Sequence, residues 1–129
     1  MDGDAPRAAR AYALLATAYI DSGIACFDAK YTYWAIQPVM LDPNVKPVFT
    51  IAGAPSYPAA PGCIFSTAAA MLGYLFPRDA ATLNALADAG SEAQVAAGVQ
   101  FRSDIITGKA LGLKVAQLAI DRAKSDGSQ

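Results

Sequence analysis

Apolar residues recur every three or four positions along most of this chain, a spacing typical of α-helices that bury one face. The pattern predicts four main helices, which span approximately residues 7–34, 62–76, 79–100 and 103–124. No segment shows the alternation of apolar and polar residues that a half-buried strand requires. The sequence therefore predicts an all-α protein whose four main helices form a bundle.

A proline-rich segment, residues 38–61, separates the first two predicted helices. It contains six of the eight prolines and shows neither a helical nor a strand period. Long connections of this kind are usually functional or disordered, and the apolar residues between the prolines favour a packed segment. We therefore expect a long, rigid and irregular loop between the first and second helices.

Three of the predicted helices show how they should pack. The second is apolar on almost every side, which indicates a central and buried helix. On the fourth, Gly108, Gly112 and Ala116 are four residues apart and share one face, which suits close approach of another helix. The third is expected to bury an inner face made of Leu83, Leu86, Ala87, Gly90 and Ala93.

Length and composition indicate a single domain with an unusually apolar surface. The chain has 129 residues, so we expect one domain, 1–129, with disordered tails at residues 1–6 and 125–129. Apolar residues make up 54% of the chain and charged residues only 16%, which is more apolar than most soluble domains. A chain this short leaves part of that apolar surface exposed. We therefore expect a homo-oligomer that associates through apolar helix faces.

Charge and hydropathy exclude several classes of partner. The formal net charge of −1 offers no basic surface for nucleic acid. Charged residues or prolines interrupt every apolar-rich segment within about 20 residues, so no membrane span is expected. The N-terminal residues lack the basic and apolar regions of a signal peptide. These features predict a soluble protein and leave its compartment open.

The histidine and cysteine content limits the available chemistry. The chain has no histidine, which excludes acid–base catalysis and metal binding by imidazole, and we expect no metal site. Cys26 and Cys63 could pair or stay reduced, and the apolar helical surroundings of both favour free, buried thiols. An aromatic cluster near the end of the first helix is expected in the core or an interface; it comprises Phe27, Tyr31, Tyr33 and Trp34.

Three short motifs combine polar residues with a backbone suited to holding an anion. In the first, Lys30 and Gln37 are seven residues apart, which places both side chains on one face of a helix. The second, YPAAPG at residues 57–62, leads into the N-terminus of the second helix, where backbone N–H groups are available to an anion. The third, residues 94–104, contains two glutamines and an aspartate at the start of the fourth helix.

Together these motifs resemble those of the vanadium-dependent haloperoxidase and type-2 phosphatidic acid phosphatase superfamily, over about residues 8–119. In that family the first motif is Lys, six residues, then Arg-Pro, and the loop reads roughly YPSGH. The third motif is Ser-Arg, five residues, His, three residues, Asp. The resemblance implies a helical core in which the Lys, both Arg and the loop N–H groups hold vanadate or phosphate. One His binds vanadium or attacks phosphorus, the other is an acid–base, and the Asp supports them.

Nine positions of this chain correspond to the oxyanion pocket of the family: Lys30, Gln37, Ala59, Ala60, Pro61, Gly62, Gln94, Gln100 and Asp104. Gln37 and Gln94 replace the two Arg, and Pro61 and Gln100 replace the two His. Both the Ser and the Gly of the loop are Ala. A charge-assisted contact contributes about 1.5–3 kcal/mol, so losing two of them weakens anion binding by several powers of ten.

These replacements predict a catalytically inactive haloperoxidase-like domain. Its former oxyanion pocket is neutral, and is either empty or able to hold a small molecule. We expect no cofactor, because the histidine that would bind vanadate is absent. The selective loss of charged positions fits a natural pseudoenzyme, an engineered scaffold or chance decay.

Two other functions stay open. A residual enzyme could bind an anionic substrate through Lys30 and the loop N–H groups, with an acid or base other than histidine. The chain could also be a helical assembly or dimerisation module. For single residues, Lys30 could be a surface charge at a helix end, the glutamines could bond to one another, to the backbone or to water, and Asp104 could be structural.

Overall fold

The computed structural model describes residues 3–50 and 53–127, and this part of the chain is helical without any strand. Its helices are α1 (Ala5–Tyr33), α2 (Pro38–Leu41), α3 (Ala60–Leu75), α4 (Ala80–Ala96) and α5 (Arg102–Ser125). A single 3-10 turn, Pro77–Asp79, joins α3 to α4. The prediction of an all-α bundle with four main helices is confirmed. None of the described helices combines the length and hydropathy needed to cross a bilayer.

The start of α1 is fixed by a side-chain cap. Asp4 accepts a hydrogen bond from the backbone N–H of Arg7 at 3.1 Å, and Pro6 lies in the first turn, where its missing N–H has no consequence. Ala5 and Pro6 are therefore helical, although we expected a disordered tail there. At the other terminus Ser125 is still helical, and Arg10 on α1 binds Asp126 at 3.2 Å. Met1, Asp2, Ser128 and Gln129 lie outside the described residues.

Helix α3 is the centre of the bundle, as its apolar sequence predicted. It packs against α1, α4 and most extensively against α5. The contact with α5 depends on glycine: a Cβ atom on Gly108 would collide with the carbonyl oxygen of Ala59, and one on Gly112 with that of Cys63. Gly108, Gly112 and Ala116 are all buried, so the prediction of a closely packed small-residue face is confirmed.

A disulfide joins α1 to α3. Cys26 and Cys63 are bonded, with their Cα atoms 6.3 Å apart. The expectation of free thiols was wrong because each cysteine lies on the buried face of its helix, and the packing of α1 on α3 brings these two faces together. Apolar surroundings describe each cysteine separately and do not reveal that they face each other.

The proline-rich segment is more regular than predicted. Pro38 begins the short helix α2, and Pro61 lies in the first turn of α3, since proline suits the first turn of a helix. The rest of the segment is irregular in its described part. It is held to the bundle by backbone hydrogen bonds from Val48 to Ala97 at 2.9 Å and from Ser56 to Ala35 at 2.8 Å.

Helix α4 lies on the outside of the bundle and is shorter than predicted. It ends at Ala96 instead of Gln100, and the chain then turns through Gly98, whose φ of 75° suits glycine. Ser91 is the one buried residue of α4, while Leu86 and Ala93, expected on the inner face, are exposed. The apolar period located this helix, but more than half of its apolar residues are exposed to solvent.

Candidate functional site

Lys30 is buried on the inner face of α1. Its side chain is only 2% exposed, and its ammonium group donates hydrogen bonds to the carbonyl oxygens of Pro55 at 2.7 Å and Ser56 at 3.4 Å. Lys30 lies in the last turn of α1, which ends at Tyr33, so this turn carries the cation against the proline-rich segment. It is not the surface charge that one interpretation of the sequence allowed.

Asp104, in the first turn of α5, is the buried anion of the site. Its carboxylate accepts hydrogen bonds from the Ser56 hydroxyl and, at 3.0 Å, from the backbone N–H of Phe101, which caps α5. The Ser56 oxygen also lies 3.3 Å from Oε1 of Gln100. A hydroxyl has one proton to donate, and the shorter contact assigns it to Asp104.

Ser56 therefore connects the two buried charges. Its carbonyl oxygen accepts from Lys30 while its hydroxyl donates to Asp104. Lys30, Ser56, Gln100 and Asp104 are each no more than 5% exposed, and we call these four residues the polar network. Every buried side-chain nitrogen or oxygen in the described residues has a hydrogen-bond partner. The network is thus a satisfied arrangement with one positive and one negative charge.

The burial of Lys30 changes the pKa of its side chain. Burial lowers the pKa of its ammonium group from the ordinary value, and the nearby Asp104 carboxylate partly offsets that shift. Desolvation thus exceeds the attraction between the two charges. The cation is bound directly by two carbonyl oxygens and attracted by the nearby Asp104 carboxylate, and no direct ion pair joins Lys30 to Asp104 among the described contacts.

The loop of the second motif offers few N–H groups to an anion. The N–H of Ala59 donates to the backbone carbonyl of Asp104 at 2.9 Å, and Pro61 has no N–H at all. Ala60 and Pro61 are half-buried in the first turn of α3. Gly62 is buried against α5, where an added Cβ would lie 2.8 Å from the carbonyl oxygen of Ile105. The loop is packed onto α5.

Gln37 and Gln94, which the resemblance aligns with two Arg positions, make separate contacts. Gln37 is half-buried, and its side-chain amide donates to the carbonyl of Ala54 at 2.8 Å, one residue before Pro55. Gln94 is half-buried on α4, and its backbone carbonyl accepts from Val99 at 3.2 Å. No described hydrogen bond links either side chain to the polar network.

Ser56 is the residue that the sequence reasoning missed. It immediately precedes the YPAAPG motif, so the comparison with the family left it out. Besides Tyr57, it is the one residue with a polar side chain between residues 54 and 61. A small hydroxyl side chain in a segment made mainly of prolines and alanines is the signal that could have identified it.

The residues of the site do not fit vanadate. The chain lacks the imidazole that would bind the metal, the cation is engaged by two carbonyl groups, and a carboxylate lies beside it. The described residues also include no group of three or more Cys, Asp or Glu side chains placed to hold a metal ion.

Comparison with protein-family models gives no match, and comparison with curated protein sequences gives none either. The resemblance to the haloperoxidase and phosphatase superfamily therefore depends on the three motifs alone.

Proposed function

We propose that this chain is a catalytically inactive helical domain of the haloperoxidase and phosphatase type. The observation that carries the proposal is the bonding of Lys30, the cation expected to hold an oxyanion. Its ammonium group is bound to the carbonyl oxygens of Pro55 and Ser56 and linked through Ser56 to Asp104. The positions that bind an anion in the resembled family serve here to fasten the proline-rich segment between α1 and α5.

An oxyanion at Lys30 would meet two obstacles. It would have to displace two carbonyl acceptors from the ammonium group, and it would lie near the Asp104 carboxylate, which has the same sign of charge. Like charges at short range in a buried site repel strongly. The single positive charge of the polar network is also already balanced by Asp104, so the network has no net charge to attract an anion.

Ser56 and Asp104 are not a substitute for the missing histidines. A serine that donates to a carboxylate has the form of a nucleophile beside a base, but Ser56 is only 1% exposed. A substrate could not reach its hydroxyl without opening the packing of the loop on α5. The residual-enzyme alternative therefore requires a rearrangement of the polar network.

We expect titration calorimetry with orthovanadate and with phosphate to show no binding at millimolar anion concentrations, because Lys30 is already engaged and faces Asp104. Binding in the micromolar range would overturn the proposal and favour the residual enzyme. As a positive control, the variant with Gln37→Arg, Gln94→Arg, Pro61→His and Gln100→His should gain anion binding. If circular dichroism shows that this variant is folded and it still gains no affinity, the assignment of the motifs is wrong.

A second candidate function, assembly, is favoured by an exposed stripe along α1. The stripe consists of Ile20, Ile24, Phe27, Tyr31 and Trp34, whose side chains are between 41% and 65% exposed. Their spacing alternates between four and three residues, as in the contact seam of a coiled coil. The rings of Tyr31 and Trp34 lie 5.3 Å apart, so this part of the stripe is a continuous aromatic surface. The aromatic cluster is therefore not part of the core.

We expect Ile24→Glu to convert a dimer to a monomer, since a carboxylate at the middle of the stripe would be desolvated in the contact. Leu118→Glu is the matched control, because Leu118 is a similarly exposed aliphatic residue on a different helix, α5. Sedimentation velocity of both variants and of the unchanged protein at micromolar concentrations measures the effect. A monomeric unchanged protein, or equal effects of both substitutions, would contradict assembly through α1.

A further inference from the structure

A cavity of about 420 Å³ lies between the end of α1, the short helix α2 and the start of the loop at residues 53–55. We call it the α2 cavity. Its wall includes Trp34, Ile36, Val39, Met40 and Ala54. Its volume is within the range of about 300–1,000 Å³ that is typical of small-molecule sites. No part of the site inferred from the family motifs other than Gln37 lines it.

The wall of the α2 cavity is uncharged. None of the described residues that line it carries an ionisable side chain, and the polar groups of their side chains are the amide of Gln37 and the indole N–H of Trp34. The amide of Gln37 donates to the Ala54 carbonyl at 2.8 Å and so links two parts of the wall. A charged ligand would lose its hydration here without gaining a counter-charge, whereas an apolar ligand has no strongly bound water to give up.

Trp34 and Met40 give the α2 cavity a preference for aromatic molecules. Indole rings stack on or against other aromatic rings, and thioether groups make favourable contacts with ring edges. Trp34 also occupies the left-handed position that ends α1, with φ of 49°, where glycine is usual and a bulky residue is uncommon. The fold thus tolerates an unfavourable backbone conformation at the residue that walls the cavity.

We propose that the α2 cavity binds an uncharged aromatic molecule of one or two rings. The proposal goes beyond the inactive-domain function and does not depend on it, because Lys30 does not line the cavity. Pro55 is the shared boundary: it lines the cavity, and its carbonyl oxygen accepts the hydrogen bond from Lys30 on the side of the polar network. A ligand can therefore occupy the α2 cavity while the polar network stays intact.

Trp34 is the one tryptophan of the chain, so intrinsic tryptophan fluorescence reports on the surroundings of this residue, which belongs both to the cavity wall and to the exposed stripe on α1. The probes are 4-bromobenzamide, which is uncharged, and 4-bromobenzoate, which has nearly the same shape and a negative charge. Bromine quenches a tryptophan that it contacts. We expect saturable quenching by the amide, with an affinity at least about tenfold higher than that of the benzoate, because the cavity offers no counter-charge.

Two substitutions make the test specific. Ala54→Leu adds three carbon atoms to the wall of the cavity and should abolish saturable quenching, while Ala93→Leu adds the same atoms at an exposed position on α4 and should leave it unchanged. Circular dichroism establishes that both variants are folded. Quenching that rises linearly and equally for both probes, or that persists in Ala54→Leu, would overturn the proposal.

A second copy of the chain is the competing occupant, since Trp34 also belongs to the stripe on α1. If the monomeric Ile24→Glu variant binds 4-bromobenzamide and the unchanged dimer does not, the partner copy covers the cavity and the small-molecule proposal is wrong. The calorimetric test with vanadate and phosphate is independent of both results, because it measures the binding of anions and does not use the fluorescence of Trp34.

Discussion

The Asp104→Ala variant should lose about 3–5 kcal/mol of unfolding free energy, the range found when one member of a buried charge pair is removed. Three losses combine in this substitution. The buried Lys30 cation loses its balancing charge, and the Ser56 hydroxyl loses its acceptor. The backbone N–H of Phe101 also loses its acceptor, which removes the side-chain cap of α5. Urea denaturation followed by circular dichroism measures the change.

Asp88→Ala is the matched control for Asp104→Ala. Asp88 forms an ion pair with Lys109, but both side chains are about half exposed, so its loss should change stability by less than about 1 kcal/mol. The double variant Asp104→Ala with Lys30→Met should be more stable than the sum of the single effects predicts, since it removes both buried charges. A decrease for Asp104→Ala as small as that for Asp88→Ala would contradict the structural role of the polar network.

The Gly112→Ala variant should lose about 1–3 kcal/mol or more, because the added methyl group enters a core that has no room for it. It would collide with the carbonyl oxygen of Cys63 and with the hydroxyl of Ser66. Neither can move freely: the Cys63 carbonyl is part of the α3 backbone, and the Ser66 hydroxyl is bonded to the Gly62 carbonyl at 2.7 Å. Helices α3 and α5 would have to separate.

Gly23→Ala should change the free energy of unfolding in the opposite direction in the same urea experiment. Gly23 lies in the middle of α1, and an added Cβ there would meet no atom within 4 Å. Alanine is favoured over glycine in a helix interior by about 0.5–1 kcal/mol, so this variant should be slightly more stable than the unchanged protein. If both alanine substitutions shift the urea midpoint in the same direction, the close contact between α3 and α5 does not explain the effect of Gly112→Ala on stability.

Features that repeat along the chain were predictable from the sequence. The four main helices follow from a period that persists over many turns, and the close approach of α3 to α5 follows from glycines four residues apart. Helix α2 was missed because four residues are too few to show a period. The disulfide was missed because pairing depends on how α1 and α3 meet, and no local pattern records this.

The candidate site was accessible to sequence reasoning only where a motif matched. Lys30 comes from one part of the chain and Gln100 and Asp104 from another, and the structure brings them together around Ser56. Ser56 itself lay one residue outside the motif. The sequence could not show that the Lys30 ammonium group is satisfied by main-chain carbonyls, because carbonyl groups are present at every residue and only the path of the loop places two of them there.

The bond between Cys26 and Cys63 closes a covalent ring, since 37 positions of sequence separate the two cysteines. Half of the polar network and the whole wall of the α2 cavity belong to this macrocycle. A single scission of the main chain anywhere between residues 27 and 62 would leave both fragments in one molecule. Helices α1 and α3 are therefore joined covalently in two ways, by the main chain between them and by the disulfide.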